Sequence, residues 1–176
     1  MTSFNCKFTI NQNYLNKLKE LSVKKAVTRV GWFEDTKYED GIPVAKVAEI
    51  NEFGATIKVT DKMRKWFAAQ GFPLNKNTTE IHIPARSFIR TTIDERSDDW
   101  HDILYSRLEK VFDGKLTLKQ ALEQLGLVIK GDIQEKITQI TTPPNSGMTV
   151  IMKGKDKPLI NTGFMQETIS VKTEVK

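Results

Sequence analysis

The chain has 176 residues, of which 39% are hydrophobic and 28% are charged, and its formal net charge is +5. This composition is typical of one soluble globular domain, or of one domain with an appended arm, that buries a hydrophobic core. No apolar run approaches the roughly 20 residues that span a bilayer, and the first five residues lack the pattern of a signal peptide. We therefore expect no membrane segment. The single cysteine, Cys6, excludes an internal disulfide and a multi-cysteine metal site.

Positive and negative charges alternate along the chain in blocks. The net charge is +5 over residues 1–30, −3 over 31–60, +4 over 61–90, −3 over 91–140 and +2 over 141–176. Such blocks suit head-to-tail contacts between copies, although each block alone also fits ordinary solvated surface. The basic blocks make nucleic-acid binding the alternative function. DNA contact is not favoured, because a nucleic-acid binder usually concentrates its positive charge on one element.

The N-terminal part of the chain predicts a strand followed by a short helix. Residues 4–10 alternate apolar and polar side chains, which predicts the strand, and Cys6 within it is expected to be a packed residue rather than a nucleophile. Asn11 or Asn13 is expected to cap the helix, which ends near Leu21.

A second strand and helix follow. Residues 26–33 are rich in β-branched and aromatic side chains and predict the clearest strand of the chain. Pro43 pre-sets the first turn of a helix over 44–53, which is expected to bury Val44 and, at its end, Phe53. Gly54 is placed to supply a left-handed C-terminal cap.

Residues 55–83 are predicted to form an excursion, a β-hairpin with a helix at its tip. Its strands are expected near residues 56–60 and 80–83, with a helix between them that carries Met63, Trp66 and Phe67. Two interpretations of this apolar tip stay open. It packs back onto the domain, or it is an exposed docking patch.

Residues 87–140 predict a long antiparallel hairpin of two helices. Apolar residues recur at helical spacing from Phe88 through Ile93 and Trp100 to Phe112, and again from Leu118 to Ile140. Residues 113–115 form the short connector, and Thr117 is expected to be the N-cap of the second helix.

The last segment, residues 141–176, is predicted to be a C-terminal arm that returns to the sheet or to a neighbouring subunit. It begins at the break Pro143-Pro144, and residues 148–152 fit a strand or a helix. Residues 161–163 are expected to start one helical turn, and residues 170–175 a last strand. The predicted fold is therefore α+β: a single domain over residues 1–140, with a small, mostly antiparallel sheet packed against the helical hairpin, followed by the extended arm.

The sequence contains no recognisable set of catalytic residues, so we do not expect an enzyme. His101 follows Asp98 and Asp99 on a charged helix face, and His82 points away from the apolar face of a strand, so both are expected to be surface residues. Two separated histidines do not make a metal site, and the glycines form no phosphate-binding loop. We expect no cofactor. A hydrolase that uses His101 with the nearby aspartates is the third hypothesis.

Four stretches, in order, resemble a known family. They are residues 27–31 (Val-Thr-Arg-Val-Gly), 43–54 (Pro-Val-Ala-Lys-Val-Ala-Glu-Ile-Asn-Glu-Phe-Gly), 83–90 (Ile-Pro-Ala-Arg-Ser-Phe-Ile-Arg) and 157–163 (Lys-Pro-Leu-Ile-Asn-Thr-Gly). Together they are similar to the tail-completion, or putative tail-component, virion-morphogenesis proteins of long-tailed bacteriophages. The chain departs from that pattern at Asn161, where the family often has Asp, and at Ser87, where it often has Pro. Asn also caps helices and Ser also starts them.

The resemblance implies a structural protein of the phage neck that completes the tail or joins it to the head by subunit binding. Its partners would be other copies of itself in a ring, with sixfold symmetry as one option, the tail tube or tail terminator, and head-side connector proteins. It would reside in the virion neck or tail, and in the host cytoplasm during assembly.

Interface residues are predicted in the excursion, at the start of the first long helix and in the arm. For Arg86 and Arg90 a structural joint with the region of Asp40 or Glu52 is the alternative, and for residues 158–163 an ordered loop with a helix cap. The predicted interface residues are Met63, Trp66, Phe67, Arg86, Phe88, Arg90, Pro143, Pro144, Pro158, Leu159, Ile160, Asn161 and Gly163.

Overall fold

The computed structural model of the protein describes residues 12–176, except for the side chains of Asn13 and Tyr14. The strand predicted over residues 4–10, with Cys6, and the candidate cap Asn11 lie outside the described residues. The elements, in chain order, are α1 (Gln12–Ser22), β1 (Ala26–Gly31), α2 (Val44–Phe53), β2 (Ala55–Lys58), α3 (Asp61–Ala69), β3 (Glu80–Ile83), α4 (Ile89–Phe112), α5 (Leu118–Gln139), α6 (Gly147–Lys153), α7 (Phe164–Glu167) and β4 (Ser170–Val175). Asn13 lies inside α1 and is therefore not its cap.

The predicted α+β class and the antiparallel strand pairing are confirmed. The described strands form two separate two-stranded sheets rather than one. The first pairs β1 with β4 of the same chain, with Thr28 opposite Thr173, and the hydroxyls of these two residues are 2.9 Å apart. The second pairs β2 with β3, with Ile57 opposite Ile81, and the helix α3 lies between its strands in sequence. The predicted excursion is thus a β-hairpin with a helical tip.

Helices α4 and α5 form the predicted antiparallel hairpin. Glu95 near the start of α4 pairs with Lys136 near the end of α5, and farther along α4 the indole of Trp100 donates to Asp132 at 2.6 Å. Thr117 begins α5 as predicted, in a capping box. Its hydroxyl accepts from the Gln120 amide at 3.2 Å, and its own amide donates to the Gln120 side chain at 2.9 Å.

The main core lies where α2, the start of α4, the C-terminal half of α5 and the C-terminal arm meet. Phe88 is completely buried there, and the ring of Trp32 meets it edge-on with the ring centroids 5.9 Å apart. The Trp32 indole donates to the Met165 carbonyl at 2.7 Å, which ties the end of β1 to the arm. The buried residues of this core are Val44, Ala48, Phe88, Ile133, Ile137, Leu159, Met165 and Ile169.

Two details of the predicted packing are wrong, and one open assignment is settled. Phe53 is 61% exposed and Ile93 is 45% exposed, because each lies on the side of its helix that faces away from the core. Residues 148–152, left open between strand and helix, belong to α6, whose first turn is capped by Ser146.

The sheet β1–β4 packs closely against α5 at Gly126. A Cβ atom at this position would lie 2.5 Å from Cγ1 of Val171 and 3.0 Å from the hydroxyl of Thr28. Both distances are shorter than ordinary van der Waals contacts, so only glycine lets helix and sheet approach to this distance.

Replacement of Gly126 by Ala is expected to lower the free energy of unfolding by about 1–2 kcal/mol, because overpacking outweighs the gain in helix propensity. Gly131→Ala on the same helix is the matched control. Its Cβ would meet no atom within 4 Å, so it should stabilise the protein by about 0.5–1 kcal/mol. Denaturant unfolding measures both. Equal stabilisation by the two substitutions would contradict the close contact.

Candidate functional site

The centre of the site is the carboxylate of Glu52, in the last turn of α2. Glu52 is only 2% exposed. Its Oε2 accepts from the Ile89 amide at 2.8 Å and its Oε1 from the Arg90 amide at 3.2 Å. These are the first two residues of α4, where a helix has amide groups without partners of its own. Phe88, at the N-cap position, has no side chain that can accept them, so Glu52 caps α4 from a different helix.

Arg90 balances the charge of this buried carboxylate. Its Nε donates to Oε1 of Glu52 at 3.0 Å, and its Nη2 donates to the Glu52 backbone carbonyl at 3.1 Å. The hydroxyl of Ser87 donates to the same carbonyl at 3.1 Å. The Arg90 guanidinium also lies 4.8 Å from the ring centre of Phe53, a cation–π contact. The regions of Asp40 and Glu52 were the two acidic partners considered for the arginines, and Arg90 pairs with Glu52.

The backbone on either side of Glu52 packs directly against residues 83–86. Gly54 has a φ of +76°, and a Cβ there would lie 2.9 Å from both the Ala85 nitrogen and the Ile83 oxygen. The Arg86 amide donates to the Asn51 carbonyl at 2.7 Å. Glycine is required at position 54 both for the positive φ and for this close approach, although its ψ of 169° is not that of the expected left-handed cap. We call residues 51–54 and 83–90, held together in this way, the Glu52 joint.

Arg86 connects the Glu52 joint to the C-terminal arm. Its side chain is 94% buried, with Nε donating to the Pro143 carbonyl at 2.7 Å and Nη2 donating to the Pro144 carbonyl at 2.9 Å. No carboxylate of the described residues forms an ion pair with it. Burial lowers the pKa of Arg86. A buried cation with only carbonyl partners retains an unbalanced positive charge.

A groove opens beside this arginine, between the excursion and the arm. It has a volume of about 490 Å³, and α3, β3 and α6 supply its walls. Lys153 of α6 lies at its base and donates to the carbonyls of Lys157 and Pro158, both at 3.1 Å. Burial, and then the charge of Arg86, lower the pKa of Lys153. The apolar wall residues include Trp66, Phe67, Ile81, Ile83, Met148 and Met152.

The predicted interface residues divide into two groups. Phe88, Pro158 and Leu159 are buried, because they pack inside the chain, and their side chains are not part of the surface. Arg86 is buried against the arm. The others are exposed or half-buried: Met63, Trp66, Phe67, Arg90, Pro143, Pro144, Ile160, Asn161 and Gly163.

Alternatives were open for two regions, the apolar tip of the excursion and residues 158–163. At the tip, Trp66 is 49% exposed and meets the Phe67 ring edge-on, with the ring centroids 4.9 Å apart. Residues 158–163 form an ordered loop that leads into α7, where Gly163 has a φ of +93° and the hydroxyl of Thr162 accepts from the Phe164 amide at 3.2 Å.

The two histidines considered in the search for catalytic residues lie on different elements, His82 on β3 and His101 on α4. His101 and His82 are both exposed, and the Nδ1 of His82 lies 3.2 Å from the Thr56 hydroxyl. Among residues 12–176, no group of three or more His, Cys, Asp or Glu side chains is arranged to hold a metal ion. Within the same part of the chain, none of the helices is both long and apolar enough to span a membrane.

Comparison with protein-family models, with curated proteins and with solved structures finds no match to the chain.

Replacement of Glu52 by Ala is expected to lower the free energy of unfolding by about 2–3 kcal/mol, because the first amides of α4 lose their acceptors and Arg90 loses its partner. Glu49→Ala, one turn earlier on α2, is the matched control. Glu49 forms an exposed pair with Lys46, so its loss should change stability by less than about 0.5 kcal/mol. Denaturant unfolding of both variants tests this. Similar effects at the two positions would contradict the capping role.

Proposed function

We propose that the protein is a structural component of a phage neck that completes the tail or joins it to the head, by subunit binding and without catalysis. One observation carries the proposal. Three of the four stretches that resemble tail-completion proteins, residues 43–54, 83–90 and 157–163, are far apart in sequence, yet their residues meet in the Glu52 joint and the core beside it. Glu52 caps the helix that begins in residues 83–90, Arg86 of the same stretch holds Pro143 and Pro144, and Leu159 packs in the core with Val44.

The way the joint is built supports a role in binding. It fixes one end of the excursion and one end of the arm, and it leaves apolar side chains between them in contact with solvent. Trp66 is 49% exposed and Met152 is 42% exposed. Large side chains that stay exposed around a groove are typical of surfaces that bind other proteins.

The proposed partners are other copies of the chain in a ring, for which sixfold symmetry is an option, the tail tube or tail terminator, and head-side connector proteins. A protein in this position needs a rigid core and complementary charges on the surfaces that meet. The virion neck or tail is the proposed location, with the host cytoplasm as the place of assembly.

Nucleic-acid binding is the alternative, supported by the net charge of +5 and by lysines of the excursion, such as Lys62 and Lys65, that are exposed and unpaired among the described residues. This alternative predicts tight binding to duplex DNA that weakens steeply with salt. Absence of retention on DNA at about 50 mM salt would contradict it.

The proposal is tested by deleting the coding sequence from the phage that carries it and supplying the protein from a plasmid. We expect the deletion to leave filled heads and separate tails in electron micrographs, with infectivity restored by the wild-type protein. A plasmid copy with His101→Ala should restore it equally, because the proposed role uses no catalytic histidine. Normal particles after deletion would contradict the proposal, and failure of the His101→Ala copy would favour the hydrolase hypothesis.

A further inference from the structure

The groove beside the Glu52 joint combines apolar walls with positive charges that lack anionic partners. Arg86 and Lys153 at its base donate only to carbonyls. On α3, the helix whose Trp66 lines the groove, Lys62 and Lys65 are exposed and form no ion pair with any described residue; we call them the rim lysines. Their spacing places both lysines on the same side of α3 as Trp66. The surface therefore fits a partner that presents carboxylates together with an apolar side chain.

The chain itself carries such a surface on the outward face of α4. Asp94, Asp98 and Asp102 follow one another at intervals of four residues, and Tyr105, 69% exposed, continues the row. None of these aspartates forms an ion pair within the described part of the chain. Like charges four residues apart destabilise a helix by about 0.2–0.5 kcal/mol per pair. A cationic partner surface would relieve this repulsion.

Most of the acidic row lies along α4 at a distance from the groove of its own molecule. Arg86 comes just before α4, whereas Asp98 lies nine residues beyond the first residue of the helix, Ile89. At 1.5 Å per residue, the axial distance from Ile89 to Asp98 is about 14 Å, and the row continues away from the groove to Tyr105. The opposite side of α4 is occupied by α5, through Glu95–Lys136 and Trp100–Asp132.

We propose that a second copy of the chain docks the α4 row Asp94, Asp98, Asp102 and Tyr105 onto the groove and the rim lysines Lys62 and Lys65. Because two different surfaces meet, the contact is head-to-tail, and repetition closes a ring or extends a filament. The inference deepens the proposed function by naming the surfaces through which copies would join. It rests on that function only for its biological setting.

The test exchanges the charges of the two surfaces. One variant carries Asp98→Lys with Asp102→Lys, and the other carries Lys62→Glu with Lys65→Glu. All four side chains are exposed, so both variants should keep the wild-type circular dichroism spectrum. In sedimentation velocity at about 50 mM salt, each variant alone should associate at least about tenfold more weakly than wild type, because like charges then meet.

An equimolar mixture of the two variants should recover association to within about threefold of wild type. The lysine row of the first variant then meets the glutamate rim of the second, and the unchanged row of the second meets the unchanged rim of the first. Lys25→Glu with Lys37→Glu is the control for net charge. Both lysines are exposed and lie outside α3 and α4, and this variant should associate like wild type. Trp66→Ala should weaken association without changing its salt dependence.

Two results would overturn the contact: a mixture that associates no better than its components, or a wild-type protein that stays monomeric up to about 1 mM, well above the range of specific assembly. Either result with normal complementation of the phage deletion would leave the neck function in place and remove only this contact. Failure of complementation by the wild-type gene would instead remove the neck function, whatever the sedimentation result.

Discussion

The arrangement of this protein depends on one buried carboxylate at the start of one helix. Glu52 lies in the last turn of α2, yet its two oxygens accept from the first amides of α4, 37 and 38 residues later in the chain. An unpaired carboxylate in this position would be costly, and Arg90 balances it from the solvent side. The direction of α4 is thus set by α2. The same contact of Glu52 positions the hairpin α4–α5. The sheet β1–β4 packs against this hairpin at Gly126.

The same joint places the two segments for which we propose binding. Arg86 extends from it to the carbonyls of Pro143 and Pro144, so that α6 lies across from the excursion with a groove between them. Because Arg86 binds only carbonyl groups there, its positive charge is not balanced within the described chain. That charge contributes to lowering the pKa of Lys153. The contact that holds the arm therefore also places a positive charge at the base of the groove. We regard this coupling of stability to surface charge as the physical basis of the proposed assembly.

Sequence reasoning predicts the parts of this fold that depend on local periodicity. The apolar stripe of α5 and its N-cap Thr117 follow from the sequence pattern, as does the hairpin form of residues 55–83. The role of Glu52 does not follow, because a glutamate within a helix usually faces solvent and its acceptor role depends on residues far along the chain. A helix start at Phe88, without a capping side chain, is the one signal that a distant acceptor is needed. Ser87, expected to start that helix, instead donates to the Glu52 carbonyl.

The groove was also beyond sequence reasoning, because it exists only through the relative placement of α3 and α6. Its members Trp66 and Phe67 could be singled out as an apolar tip, but Met148, Met152 and Lys153 could not be assigned to the same surface.

The most direct test of the account is hydrogen exchange at the amides of Ile89 and Arg90. If Glu52 caps α4, both exchange as slowly as the interior of the helix, and far more slowly than the amides of Leu118 and Lys119 at the start of α5. Equal, fast exchange at the two helix starts would contradict it.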